Sequence, residues 1–241
     1  MLTKTKAIVL NTLKYGDKKI FVDMFSQEYG KITFSCPVGS RGKQKSKANY
    51  FQPLNIVEVE FDRKPKVEIH NIKEVRLAYP TRSIPYDSYK LSISIFLAEF
   101  LRYALLNEQQ NVHLYDYIEH SIEWLDNAEK GFANFHIVFM MKISLFIGFH
   151  PNIEDFSPGS WFDLQSGEFS HLIPKHKDTI QPSEATIIPV IDRLNYSTMH
   201  LLKLTRAQRN QCTEGILNYY RLHLPAFPEL KSFAVMKELF A

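Results

Sequence analysis

Cysteine is nearly absent: the 241-residue chain holds Cys36 and Cys212 and no others. One possible bridge between positions so far apart is not the disulfide framework of a secreted protein, and the usage fits a reducing cytoplasm. No paired C-x-x-C occurs, and the pair His171 and His176 has no second ligand pair, whereas a structural zinc needs four ligands. His113, His120, His136, His150, His200 and His223 are scattered, so no bound metal is expected. Long apolar runs are missing as well. The best of them, residues 132–149, is broken by His136, Lys142 and Ser144, and a bilayer helix needs about 20 predominantly apolar residues. The basic N-terminus leads into alternating apolar and polar residues without a continuous apolar stretch, which reads as a strand rather than a signal peptide. There is no P-loop, dinucleotide fingerprint or G-x-S-x-G. Cys36 falls in a predicted strand and Cys212 in a helical stripe, where thiols are inert, and Glu99, Glu119 and Glu123 are single carboxylates on amphipathic helices. These absences point to a non-enzyme that uses no cofactor and meets no membrane.

What is present is ample apolar material, 45% hydrophobic and 13% aromatic, enough to bury a core for two modest domains. The formal charge of +3 conceals a division. Residues 1–80 hold 15 Lys/Arg against 8 Asp/Glu, and the remainder holds 14 against 18. A basic module that binds a polyanion, joined to a neutral or acidic body, has this polarity, and a solvated basic face without function is the alternative.

Apolar residues cluster at 5–13, 19–26 and 32–36, separated by Tyr15-Gly16-Asp17 and Glu28-Tyr29-Gly30, and these read as two antiparallel hairpins. Residues 54–61 alternate with period two, as do residues 67–72 after the turn Arg63-Lys64-Pro65-Lys66. Five short strands within residues 1–80 suit a small closed barrel, for which the OB-fold is the commonest candidate. Beyond Pro80 to Pro85 the period lengthens, and helices are predicted over residues 89–107, 112–127 and 131–147. Residues 150–195 are turn-rich, with a short hairpin at Trp161-Phe162-Asp163 and Glu168-Phe169. Helical pattern resumes at residues 197–203, 205–223 and 229–240, the second opened by a Thr205/Gln208 capping box. The class is α+β: a barrel domain over residues 1–80, then an all-α domain over residues 81–241 with its insert at about 150–195.

Arg41, Lys43, Lys45 and Lys47 alternate with small or polar residues after Gly39 and Ser40, so cations and backbone N–H groups can follow a phosphate chain. A solvated charged loop is the competing reading. Lys14, Lys18, Lys19 and Lys31 lie at the ends of the preceding strands and are expected to extend this segment into one positive face. Tyr15 and Tyr29 are the aromatics expected outside the barrel, available to stack on unpaired bases.

Taken in order, Thr5-Lys6-Ala7-Ile8-Val9-Leu10, Tyr15-Gly16-Asp17, the run from Phe25 to Lys31, the Gly39 to Ser46 stretch and Gln52-Pro53-Leu54 resemble the RecO family of bacterial recombination mediators. Gly148-Phe149-His150-Pro151 is similar to the family's Gly-Phe-x-Pro junction, and the stretch from Tyr219 to Leu224 with Leu230-Lys231-Ser232 resembles its closing helices. The resemblance implies an OB-fold, a helical domain with a zinc-ribbon-like insert, and a DNA repair and recombination role. It implies binding of single- and double-stranded DNA, annealing of complementary strands and assistance in loading recombinase onto strands coated by single-stranded-DNA-binding protein. The setting it implies is the bacterial cytoplasm, in association with the nucleoid. Partners implied are RecR and the acidic, aromatic-ended C-terminal tail of the single-stranded-DNA-binding protein. Many relatives place four cysteines in the insert, where this chain offers Asp155, Ser157, His171 and Pro174, so the insert must be held by apolar packing. For the tail, helix periodicity directs attention to Phe100, Phe139, Ile143 and Phe146, with Arg102 and Lys142 for a carboxylate, and bundle core is the alternative for each apolar residue. Two other readings stay open: a general OB-fold module for RNA or single-stranded DNA, and a protein-interaction scaffold without nucleic-acid binding.

Overall fold

Residues 2–16, 19–37, 48–64 and 67–239 are described by a computed structural model. The β-branched and aromatic alternation at the N-terminus forms β1 (Leu2–Tyr15), β2 (Lys19–Ser26) and β3 (Gly30–Pro37), then β4 (Ile56–Asp62) and β5 (Ile69–Tyr79). Their order is β1-β2-β3-β5-β4, with β4 returning to β1, which closes an OB-type barrel. All neighbours are antiparallel except β3 and β5, which pair in parallel through Thr33–Ile69, Phe34–His70 and Ser35–Asn71. Every second side chain turns inward, so Val9, Val22, Met24, Phe34, Val59 and Phe61 fill the interior. The fifth strand starts at Ile69 rather than at 67, and it continues to Tyr79, beyond the expected end at 72. Its length follows from β4, which pairs it from Phe61–Ile72 to Ile56–Tyr79 and so recruits the charged stretch after Ile72 as a half-wetted strand.

The helical period after Pro80 becomes α1 (Ser88–Ala104) and α2 (Val112–Asn127). Asp87 caps α1 by accepting from the N–H groups of Tyr89 and Lys90. The passage from β5 to α1 is held by Asp126, near the end of α2 and 3% exposed. Its carboxylate accepts from the N–H groups of Arg82 (2.8 Å), Ser83 (2.8 Å) and Ile84 (2.9 Å) and from the Tyr79 hydroxyl (3.1 Å). Buried Lys90 donates to Ser83 Oγ at 2.7 Å and to the Asp126 carbonyl at 3.1 Å. Burial works to raise the Asp126 pKa, but the three backbone donors and the Tyr79 hydroxyl outweigh it and hold the carboxyl below its ordinary value. The last helix, α7 (Lys231–Leu239), is capped by the Glu99 carboxylate, which accepts from the N–H groups of Lys231 and Ser232. Barrel, α1, α2 and α7 make up one compact unit.

The second unit, residues 128–229, contains α3 (Phe135–Phe146), a small sheet of β6 (Trp161–Asp163), β7 (Glu168–Ser170) and β8 (Thr179–Ile180), and α4 (Pro182–Ala185), α5 (Ile187–Arg193) and α6 (Arg206–His223). The hairpin and the Thr205/Gln208 capping box stand where the sequence places them. Helices α4 and α5 were concealed by Pro182 and Pro189, which read as breakers but occupy first-turn positions where no N–H is needed. Where residues 197–203 promise a helix, a 3-10 turn at Met199–Leu201 forms. Among the described residues, no helix is long and apolar enough to cross a membrane.

Replacing Asp126 with Ala strands three backbone donors, that of Ile84 buried and those of Arg82 and Ser83 partly so, and should cost about 3 kcal/mol of stability at neutral pH. Because the folded carboxyl is held below its ordinary pKa, its contribution is complete above that ordinary value and is lost as pH falls through the lowered one. The stability gap between wild type and Asp126→Ala, measured by denaturant titration, should therefore be constant near neutrality and narrow below about pH 4.

Candidate nucleic-acid interface

Cations of the barrel divide into two populations. On the β1–β4–β5 side four are neutralised: Lys4 pairs with Glu60 (3.4 Å), Lys6 with Glu119 (3.1 Å), Lys73 with Asp62 (3.3 Å) and Arg76 with Glu58 (2.8 Å). Its hydrogen bond to Arg76 holds the Glu58 carboxyl below its ordinary pKa. At the β1–β2 end the arrangement differs. Lys14 and Lys19 stand at adjacent pairing positions, Lys14 opposite Ile20 and Lys19 opposite Tyr15, and among the described residues neither makes an ion pair.

The basic segment is rooted at this same end. Pro37, the last described residue before it, pairs with Lys19. The chain is described again from Ala48, in a 3-10 turn whose Phe51 carbonyl accepts from Thr12 Oγ1 of β1 at 2.9 Å. Arg41, Lys43, Lys45 and Lys47, and Lys18 on the β1–β2 turn, lie outside the described residues. Lys31 does not join Lys14 and Lys19. It pairs with Phe25, six residues along β3 from Pro37, which at the rise of a strand is about 20 Å away. It is half-buried, and desolvation lowers its pKa against the pull of Asp23.

Aromatic surface accompanies the uncompensated charge. Tyr15 is 66% exposed, edge-on to Phe21 with ring centroids 5.6 Å apart, and Lys19 Nζ lies 5.0 Å from the Phe21 centroid. Tyr15, Lys19 and Phe21 thus offer a flat ring beside a cation, the pairing that single-stranded nucleic acids exploit. Phe21 is among the strand aromatics that the sequence offers as stacking platforms, though not one of the two expected outside the barrel, and its position two residues from Lys19 puts both on one face. Tyr29 departs from expectation. It is half-buried, edge-on to Phe61 at 5.9 Å, and belongs to the other end of the barrel.

The residues expected to receive a partner's tail fall in separate compact units: Phe100 and Arg102 on α1 in the first, Phe139, Lys142, Ile143 and Phe146 on α3 in the second. Phe100, Phe139 and Ile143 are buried core. Phe146 and Lys142 are half-buried. The Arg102 guanidinium is engaged with Asp23 at 3.3 Å, and Asp23 also accepts from Asn11 and Thr33. Apolar surface in the second unit lies instead along a groove of about 690 Å³ lined by Met141, Ile180, Ile187, Ile191, Cys212 and Ile216. Its lining includes Glu184 and Glu214 and, among the described residues, no lysine or arginine. Burial pushes the Cys212 thiol up to about 11, which leaves it protonated and inert near neutrality.

A zinc in the insert does not fit the residues present. Ser157 Oγ and His171 Nε2 are hydrogen-bonded at 2.8 Å, and His176 pairs with Asp163 at 3.1 Å. Among the described residues, no three His, Cys, Asp or Glu side chains come together as a ligand set. Phe162 and Phe169 hold the hairpin instead, their rings 4.9 Å apart, with Phe156 against Phe169 and Tyr219 against Phe162.

Comparison with known proteins agrees with the barrel and the helical region. The family described as Recombination protein O N terminal matches residues 1–81, and that described as Recombination protein O C terminal matches residues 85–232. The chain is 46% identical to the DNA repair protein RecO of Phocaeicola vulgatus and 44% identical to that of Bacteroides fragilis strain YCH46, each over 241 residues and the whole of both chains. With the DNA repair protein RecO of Porphyromonas gingivalis strain W83 it shares 33% identity over 246 aligned residues, again covering both chains.

If the Tyr15 ring is a stacking platform, Tyr15→Ala should weaken binding of a single-stranded oligonucleotide by about 1–2 kcal/mol and leave duplex affinity nearly unchanged. Fluorescence anisotropy with both substrates measures the difference, and the exposure of Tyr15 keeps the fold out of the comparison.

Proposed function

The chain belongs to the RecO family, and from that premise we propose that it is a non-enzymatic DNA repair protein of the bacterial cytoplasm and nucleoid. It binds single- and double-stranded DNA, anneals complementary strands and helps load recombinase onto strands coated by single-stranded-DNA-binding protein. Its partners on this reading are RecR and the acidic tail of the single-stranded-DNA-binding protein.

The observation that carries the proposal is the uncompensated charge at one end of the barrel. On the β1–β4–β5 side Lys4, Lys6, Lys73 and Arg76 are matched by carboxylates, but Lys14 and Lys19 flank the roots of a segment holding Arg41, Lys43, Lys45 and Lys47. Phosphate neutralisation with release of counterions needs cations that are not already paired. Exposed Tyr15 adds a surface for unpaired bases beside them. Two strands whose phosphates are neutralised on one surface repel each other less, and pairing is then driven by the strands themselves, so no covalent chemistry is required of the protein. The groove lined by α5 and α6 has an apolar lining that suits the aromatic end of a tail, but Glu184, Glu214 and the lack of lysine or arginine in its described lining put the cations for the acidic part elsewhere.

Annealing separates this function from passive binding. Complementary fluorescent oligonucleotides coated with single-stranded-DNA-binding protein should pair faster on addition of the protein, with the acceleration falling steeply as salt rises. A passive single-strand or RNA-binding module would slow the pairing, and a scaffold without nucleic-acid contacts would leave the rate unchanged.

A further inference from the structure

At the end of the barrel opposite Lys14 and Lys19 lies a second open cleft, of about 470 Å³, to which the charge argument assigns no role. Its walls come from Tyr29, Lys31 and Thr33 at the start of β3, Arg63 and His70 flanking the β4–β5 turn, and the α1–α2 connection at residues 106–108. Its size is in the range of pockets that hold small organic ligands.

The cleft is held open by its own packing. Gly30 has φ +65°, and a Cβ there would sit 2.4 Å from the carbonyl carbon of Gln109, so only glycine lets the β2–β3 turn approach the α1–α2 connection. Lys31 N–H donates to the Glu108 carbonyl at 3.2 Å, tying the two walls together. Tyr29 is fixed edge-on against core Phe61, and the exposed Arg63 guanidinium lies 4.4 Å from its ring centroid. This gives a planar cation on a planar ring at the mouth. Inside the cleft, His70 is 8% exposed, set against Phe61 and Phe34 with centroids 5.2 and 6.4 Å away. Its Nδ1 is buried and makes no hydrogen bond among the described residues. A buried polar atom left unpaired is destabilising, and a neutral imidazole nitrogen can serve either as donor or as acceptor.

We propose that this cleft captures one unpaired nucleobase of a bound strand, stacked at Arg63 and Tyr29 and hydrogen-bonded on its edge by His70. The inference rests on the nucleic-acid binding proposed above and adds a site for the base to a surface for phosphates. The chemistry favours a base over a bare phosphate: Glu68 and Glu108 also line the cleft, repel an anion placed deep in it, and can accept from the N3–H of thymine or the exocyclic amines of other bases. Arg63 and Lys31 remain at the walls for the phosphates on either side of the captured nucleotide. Stacking on a guanidinium plane or an aromatic ring, with edge hydrogen bonds, is how splayed-out bases are held in general.

The test irradiates the full-length protein bound to an oligothymidylate carrying a single 5-iodouracil and maps the crosslink by mass spectrometry. The crosslink should fall on Tyr29, and Arg63→Ala should abolish it while weakening single-strand binding about tenfold and sparing duplex binding. Arg63→Lys keeps the charge but loses the plane and should behave as Ala does; Arg63 is exposed, so neither change threatens the fold. A crosslink confined to Tyr15, with Arg63→Ala binding as tightly as wild type, would overturn the base cleft and leave the nucleic-acid reading intact. Absence of any oligonucleotide binding would overturn both. Free thymidine monophosphate binding more tightly than the oligonucleotide would assign the cleft to a mononucleotide and overturn the proposal as well.

Discussion

The parallel pairing of β3 with β5 is the contact on which the functional surfaces depend. Three residue pairs, Thr33–Ile69, Phe34–His70 and Ser35–Asn71, turn an antiparallel meander into a closed barrel. Closure gives the barrel two distinct ends. One carries the β1–β2 turn, Lys14, Lys19 and the roots of the basic segment. The other carries the β4–β5 turn and brings His70 beside Phe34 and Phe61. Without the β3–β5 ladder, Lys31 on one strand with Tyr29 in the turn before it, and His70 on the other strand, would have no reason to share a cleft.

Electrostatics then distinguishes the ends from the sides. The cations of β1 and β5 that pair with the carboxylates of β4 form exposed salt bridges, worth little to stability individually. Their consequence is to cancel charge over that side, so that the positive potential concentrates where carboxylates are missing. Asp126 serves a different purpose. It gathers the backbone donors of residues 82–84 and fixes the course of the chain from β5 into α1, and so decides which part of the barrel the helices cover. In the second unit, whose insert carries no cysteine, the hairpin is held by aromatic packing of Phe156, Phe162, Phe169 and Tyr219.

Much of this was legible in the sequence because it is local. Period-two alternation located the strands, and the Thr205/Gln208 spacing located the start of α6. The hairpin at Trp161 and Phe169 was readable from Gln165-Ser166-Gly167 between two aromatic runs. What escaped was non-local. Nothing in helix periodicity separates Asp126 from Glu119 or Glu123, since its partners lie more than 40 residues earlier in the chain. Lys31 sits at a strand end like Lys19, but strands have two ends, and the β2–β3 register decides which one. Phe100, Phe139 and Ile143 show the ambiguity of an apolar helix position, which reads the same whether it faces a core or a partner. The turn residues of Arg63-Lys64-Pro65-Lys66 were read only as punctuation, although Arg63 becomes the mouth of the second cleft.

The salt dependence of DNA binding tests the central claim most directly, because it counts phosphate contacts. Replacing Arg41, Lys43, Lys45 and Lys47 together with Ala removes four cations from the segment rooted beside Lys19. The plot of log K against log salt for duplex DNA should then flatten by about three to four in slope, with weaker affinity at low salt. An unchanged slope and an unchanged affinity would contradict the account.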